Sequence, residues 1–482
     1  MPMIGAWEAG GEVRFFRNPH CPGRSTRQPA NIKELPLFHV HNFGCRASQA
    51  DGAALEAALA GQGHTPAGSA RAAELVILNT CTVTSAADGD VHQAIRRLRR
   101  ENPEARVMVT GCYAQRSPEE LAALPGVDWV VGNSHKTEIA EIVAREWDTV
   151  RPSGAGIDFH GLVHAGDIGA QTAFLSAPVQ DAAGDRTRPN LKIQDGCNNL
   201  CTFCIIPSVR GHSRSAAAED AVGQVRALAT HYREVVLSGI NLGRWGRERG
   251  FAAPGGGPAR LAGLVRRLLD ETPIERLRLS SIEPMDFSDD LLRMMAAEPR
   301  LAAHVHAPLQ SGCDATLKRM KRRYRARHYA TRVETARAWM PDAAIGADVM
   351  AGFPGETDAE FEESRRFIEA MPFTYLHVFT YSERPGTPAG TYPGAVPVRV
   401  RKERNAVLRE LAAAKNVAFR QRFVGRKVSA VTLEGGLSAL STNYLKVELA
   451  RPRPANHLVS VRIGGLTAAG LREENPLAVL PS

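Results

Sequence analysis

The stretch GCNNLCTFC, residues 196–204, carries Cys197, Cys201 and Cys204 in the spacing C-x3-C-x2-C, with no fourth cysteine nearby. Thiols packed this tightly suit a metal centre. A structural zinc ion takes four closed ligands, and His212, beyond the intervening IIPSVRG, is the nearest candidate for a fourth. Iron–sulfur clusters are held by thiolates, typically four. Three thiolates on a four-iron cluster leave one iron open, and an open coordination site is where chemistry can occur. Three further cysteines each follow an apolar run: Cys45 after HVHNFG, Cys81 after VILNT and Cys112 after VMVTG. They read as a second metal-binding trio, with three separate core cysteines as the alternative. Cys21 and Cys313 stand alone and are read as incidental.

The elements around these residues explain how they could converge. Short apolar runs at 37–43, 74–80, 106–111 and 128–133 alternate with helical spacing at 46–61, 86–100 and 117–124. That alternation predicts an open parallel sheet with helices on its faces, over 36–148. Residues 149–188 read as a linker, and 1–35 as an extension without periodicity. From 189 to 424 the alternation resumes, with strands expected at 190–195, 234–240, 276–281, 304–310, 344–350 and 375–381, as in a barrel or partial barrel. Residues 425–482 alternate with turn signals and predict a small all-β module.

In such sheets ligands gather beyond the carboxyl ends of the strands. This rule brings Cys45, Cys81 and Cys112 to one edge, where Gly44 and Gly111 permit close backbone approach. It sets Cys197, Cys201 and Cys204 at the mouth of the second domain. It also marks Gly239 and Asn241 in SGIN, Glu283, Gln310, Asp348, and Gly352 in GFPGE as candidate ligand contacts. His39, His41, His304 and His306 lie on or near strands and read as core or cleft imidazoles.

The chain has 482 residues and a net charge of +9. No run approaches the ~18–20 apolar residues of a membrane helix, and the N-terminus lacks a signal pattern. A cytoplasmic protein with no membrane partner is expected, and in that reducing compartment cysteines serve metals rather than disulfides. KRMKRRYRARH (318–328) and RVRKER (399–404) concentrate positive charge and predict contact with a polyanion. Lys318, Arg319 and Arg322 are the expected phosphate contacts.

The context KIQDGCNNLCTFCIIPSVRGHSRS resembles the radical S-adenosylmethionine (SAM) enzymes. With the first trio, and with NTCTVT (79–84), GCYAQ (111–115), SSIEP (280–284), PLQSG (308–312), GFPGE (352–356) and YSERPGTPA (381–389), the chain resembles the methylthiotransferases of that superfamily over about 36–425. The resemblance implies two 4Fe-4S clusters, an auxiliary one on Cys45, Cys81 and Cys112 and a SAM-binding one on Cys197, Cys201 and Cys204. It implies SAM as both radical source and methyl donor, a C-terminal TRAM-like RNA-binding barrel, and tRNA as substrate. An electron donor such as flavodoxin or ferredoxin and a sulfur donor are implied as partners. NTCTVTSAAD and VTGCYAQ look most like the branch acting on N6-threonylcarbamoyladenosine. The alternatives are N6-isopentenyladenosine in tRNA, an aspartate of a small-subunit ribosomal protein, or a non-catalytic iron–sulfur or zinc protein that binds RNA.

Overall fold

Six parallel strands open the fold in a computed structural model of the chain, which describes residues 35–148, 160–172, 174–175, 187–248 and 260–475. Strands β1 (Leu37–Asn42), β2 (Thr65–Pro66), β3 (Leu75–Thr80), β4 (Arg106–Gly111), β5 (Trp129–Gly132) and β6 (Leu162–His164) run in the order β2-β1-β3-β4-β5-β6. All six residues of β3 are buried. Alternate residues of a strand face opposite sides, so Val76, Leu78, Val107 and Val109 pack with Val91 and Ile95 on one face. Leu75, Ile77, Met108 and Trp129 pack with Leu55 and Ile142 on the other. Burial on both faces is what makes these strands read as unbroken apolar runs.

Two features differ from the sequence expectation. The span expected as linker supplies β6, which pairs with β5. The helix expected at 117–124 forms over Pro118–Ala122, and an unexpected second short helix, Cys112–Arg116, precedes it. Pro118 disfavours a helical conformation at Ser117, which lies at φ −138° and ψ 61°. The expected extension and Cys21 lie outside the described residues, apart from Leu35; Pro36–Ser482 forms one compact unit.

The six strands expected in the second half all form. Strands β7 (Asn190–Asp195), β8 (Arg214–Ser215), β9 (Glu234–Gly239) and β10 (Arg276–Leu279) lie in the order β10-β9-β7-β8. Strands β11 (His304–His306), β12 (Ala344–Ala351) and β13 (Tyr375–Thr380) form a second sheet, β11-β12-β13. The two meet at β10 and β11 through a bridge between Leu277 and Leu301, and the Ile282 N–H donates to the His306 carbonyl at 3.0 Å. Strand β11 is shorter than the expected 304–310: Pro308 has no N–H to give, and Gln310 turns into the left-handed region at φ 68°.

The helix Val398–Gln421 leads to a closed barrel of β14 (Lys427–Thr432), β15 (Ser438–Ser441), β16 (Lys446–Glu448), β17 (Leu458–Leu466) and β18 (Leu471–Glu473). This barrel docks on the amino ends of the core strands. Arg278, fully buried, pairs with Glu234 at 2.8 Å and donates to the carbonyls of Ser441 and Thr442 at 3.0 Å. The Tyr444 ring stacks on His304 with centroids 4.4 Å apart. Among the described residues, no helix is long and apolar enough to cross a membrane.

Candidate metal centres at the strand ends

The loop bearing Cys197, Cys201 and Cys204 leaves β7 and is closed by the Cys197 N–H, which donates to the Gly211 carbonyl at 3.1 Å. Thr202 anchors its middle. Its hydroxyl donates to the Arg319 carbonyl at 3.0 Å, its N–H to the Met320 carbonyl at 3.2 Å, and its own carbonyl accepts from the Ala389 N–H at 2.9 Å. The motif segments around 320 and 389 thus hold the cysteine loop in place. Burial pushes the Cys204 thiol up to about 12, with Cys201 and Cys197 adding to the shift. Burial raises Cys197 too, and the sulfur accepts from the Asn199 N–H at 3.4 Å and from Asn241 Nδ2 at 3.6 Å. Such thiols exist as thiolates when a cation holds them.

Asn241 and Glu283 lie beside this trio. Asn241 gives one amide hydrogen to Cys197, while its Oδ1 is buried without a partner among the described residues. Glu283 pairs with Arg322, which also donates to Cys201 Sγ at 3.2 Å and to Tyr324 Oη at 3.2 Å. Glu283, Arg322 and Tyr324, with Asn199, Cys201 and Lys321, line a cavity of about 20 Å³.

Arg322 therefore corrects the charge-based reading. Its side chain is 4 % exposed and is committed to the cysteine loop, not to a surface phosphate. Arg319 is bound to Glu360 at 2.7 Å. In the second basic run, Arg401 and Arg404 are buried; Arg401 pairs with Glu383, and Arg404 with Glu356 and Asp358, all at 2.7 Å. Lys318, Lys321 and Arg323 remain exposed. The signal in the sequence was Tyr324, an aromatic inside a basic run, which marks a segment with one buried side.

The remaining candidates occupy the same strand ends with other partners. Gly239 closes β9, and the Asn241 N–H beyond it donates to Gln194 Oε1 at 2.6 Å. Gln310 donates its N–H to the Asp348 carbonyl and accepts from the Met350 N–H, both at 2.8 Å. Asp348 Oδ1 accepts from His306 Nε2 and His377 Nδ1, each at 3.1 Å. Burial works against that carboxylate, but the two imidazoles hold it well below the usual range. His304 Nε2 and His306 Nδ1 both bond Tyr375 Oη, at 2.7 and 2.8 Å; His306 thus has partners on both ring nitrogens, whereas His304 Nδ1 is buried without a partner among the described residues. The Gly352 N–H donates to Glu356 Oε2 at 2.7 Å.

The second trio is assembled by three strand ends. Gly44 at φ +89° lies so close that an added Cβ would stand 2.5 Å from Cys81 Cβ. At Gly111, φ +101°, it would stand 2.4 Å from the Thr80 carbonyl oxygen. Burial, with Cys112 and Cys45 adding to it, raises the Cys81 thiol to about 11, so the three sulfurs share one electrostatic neighbourhood. Cys112 packs against Ile205 and Val209, the first just past Cys204 and the second on the helix Ile206–Arg210 that follows it. Asn133 Nδ2 clamps the same contact by donating to the Val209 carbonyl at 2.7 Å. One short helix separates the two trios. Cys313 belongs to neither, and its sulfur meets Glu363 at 3.2 Å.

Residues 37–132 match the model of a family described as uncharacterized protein family UPF0004, and 191–368 match that of the radical SAM superfamily. The threonylcarbamoyladenosine tRNA methylthiotransferase MtaB of Aquifex aeolicus is 35% identical over 426 residues, covering 87% of this chain and 98% of that one. The protein of the same name from Thermotoga maritima is 33% identical, covering 91% and 96%. The tRNA-2-methylthio-N(6)-dimethylallyladenosine synthase of Novosphingobium aromaticivorans is 36% identical, covering 81% and 85%. In fold, the chain is similar to the radical S-adenosylmethionine methyltransferase TsrM from Kitasatospora setae, with a TM-score of 0.53 and 16% identity over 74% of this chain and 77% of that one. The fold and its cysteine loop are those of a radical SAM enzyme. Within that class, the chain belongs to the methylthiotransferase family.

Proposed function

We propose that this enzyme places a methylthio group on C2 of N6-threonylcarbamoyladenosine beside the anticodon of tRNA. The observation that carries the reading is the pair of three-cysteine sites, held one short helix apart at the strand ends. The family brings with it an iron–sulfur cluster and SAM; that there are two 4Fe-4S clusters, one on each trio, is part of the proposal. The residues fit them: each site offers three sulfurs, and beside Cys197 the buried Asn241 Oδ1 lacks a donor. When bound, the cluster and SAM supply hydrogen abstraction from an aromatic C–H, which side-chain acids and bases do not reach.

The chain's own residues then divide the work. Cys197, Cys201 and Cys204 hold the SAM-binding cluster, and Cys45, Cys81 and Cys112 the auxiliary one. Asn241 Oδ1 would accept a hydrogen bond from SAM, and Glu283, fixed by Arg322, presents a carboxylate to the cavity beside Cys201. Gly239, Gln310, Asp348 and Gly352 complete the ligand wall at the strand ends. The domains are 36–148 for the auxiliary site, 189–424 for the SAM site, and 425–482 as a TRAM-like RNA-binding barrel. Lys318, Lys321 and Arg323 meet tRNA phosphates, and the adenine leaves its stack to enter between the trios. A flavodoxin- or ferredoxin-like protein supplies electrons, and a separate donor renews the sulfur.

Mass spectrometry of tRNA nucleosides from cells with and without the gene tests the reading. The expected result is loss of the methylthio group from the threonylcarbamoyl nucleoside alone. Loss from the dimethylallyl nucleoside instead would transfer the enzyme to the branch of its Novosphingobium relative, and intact tRNA would exclude both.

A further inference from the structure

Four basic side chains close on two carboxylates in the seam behind the two trios. Asp51, from the helix Arg46–Gly61, takes Arg210 Nη2 at 2.9 Å, Lys136 Nζ at 3.3 Å and also Lys192 Nζ. Asp195 takes Lys192 at 2.9 Å, Arg210 Nη1 at 3.0 Å and Arg214 at 3.6 Å. Five of these six side chains are no more than 5 % exposed, and Arg214 is 13 % exposed. Two positive charges are thus left over where little water reaches, and buried charge without a counter-charge is strongly unfavourable.

The missing counter-charge stands next to it. Cys112 packs against Val209, the residue before Arg210, and its sulfur meets Asn133 Nδ2 at 3.7 Å; the thiols of Cys112 and Cys45 act electrostatically on Arg210, and that of Cys112 on Lys136 as well. Arg210 Nε is sealed from solvent and has no hydrogen-bond partner among the described residues. Three thiolates on a four-iron core make a net negative site. We propose that Arg210, carried on the loop of the Cys197–Cys204 trio, is a positioning residue of the other trio's metal centre, where its locked charge and free Nε–H stabilise negative charge and raise the reduction potential. The inference rests on reading Cys45, Cys81 and Cys112 as a cluster site. Fixed positive charge and hydrogen bonds to sulfur favour the reduced, more negative state of such a centre. Asp51 and Asp195 hold the guanidinium in place, so the geometry of one cysteine loop sets the electronics of the opposite centre.

The test uses the full chain with Cys197→Ala, Cys201→Ala and Cys204→Ala as parent, loaded anaerobically with iron and sulfide so that only the dispersed trio is filled. A redox titration followed by electron paramagnetic resonance then compares the parent with added Arg210→Gln or Arg210→Lys. At the parent's midpoint, the reduced-to-oxidised ratio should fall from one to about one tenth in Arg210→Gln, about 59 mV for one electron. Arg210→Lys, which keeps the charge, should fall less. Loss of iron from Arg210→Gln but not from Arg210→Lys also supports the role of charge. An unchanged midpoint in Arg210→Gln, equal shifts in both variants, or loss of iron from both overturns it. A parent that binds no iron overturns the two-cluster reading as well, whereas an iron-bearing parent with an unmoved midpoint overturns this inference alone.

Discussion

Asn241 holds Cys197 with one end of its amide and leaves the other end buried without a donor among the described residues. An orphaned buried acceptor costs about 1–3 kcal/mol, and a ligand that supplies the donor recovers it. Asn241→Leu should therefore weaken SAM binding by roughly tenfold, read by equilibrium binding to the iron-loaded protein. The two trios should separate in their consequences. Cys201→Ala should abolish 5′-deoxyadenosine formation, while Cys81→Ala should keep part of it and lose all methylthiolated nucleoside; chromatography of both products distinguishes the two. The cysteines and Asn241 were legible because each follows an apolar run that can only be a buried strand. Arg322 and Arg210 were not. Their carboxylate partners Glu283 and Asp51 lie 39 and 159 residues away, and local pattern does not mark such pairings.

Strands with six or more buried or half-buried residues announce themselves, and β3, β4, β7, β9 and β12 stand where the apolar runs predict. Strands β6 and β8, of three and two residues, are too short to carry a period. The helix Val398–Gln421 misleads for another reason: its arginines look solvated, yet Arg404 is locked against Glu356 and Asp358. Arg404→Ala strands the buried Glu356 and should cost about 3–5 kcal/mol of stability, measured by denaturant unfolding, with no change in the salt dependence of RNA binding. The helix Arg46–Gly61 is joined to the core through Asp51, whose burial is outweighed by Lys192, Arg210 and Lys136, so its carboxyl titrates well below the usual range. A depressed acidic group stabilises the fold above its unfolded value of about 4 and loses that contribution as pH falls toward the folded value. Thermal unfolding of the apo chain from pH 7 to pH 3 should show this loss, and Asp51→Asn should be less stable at pH 7 with a flatter acid limb.

Across the whole molecule the count of 60 lysines and arginines overstates the positive side chains available to RNA, because several arginines are spent on buried ion pairs. Lys321 and Arg323 are exposed and line the same cavity as Cys201. Replacing Lys321 and Arg323 by alanine should flatten the plot of log affinity against log salt by about 0.7–0.9 for each phosphate no longer neutralised, in filter-binding with tRNA. The end of the chain adds a dimension of length. The C-terminal barrel grips the strand beginnings at Arg278, His304 and Ala344, whereas Cys197, Asn241 and Glu283 gather at the strand finishes. Strand β12, with eight residues, spans about 26 Å between those two levels at roughly 3.3 Å per residue. Under the proposed function, an RNA held by the barrel would reach the cysteine loop only across that interval, as against a ruler. A hairpin cut shorter than that interval should go unmodified even with the correct nucleoside in its loop.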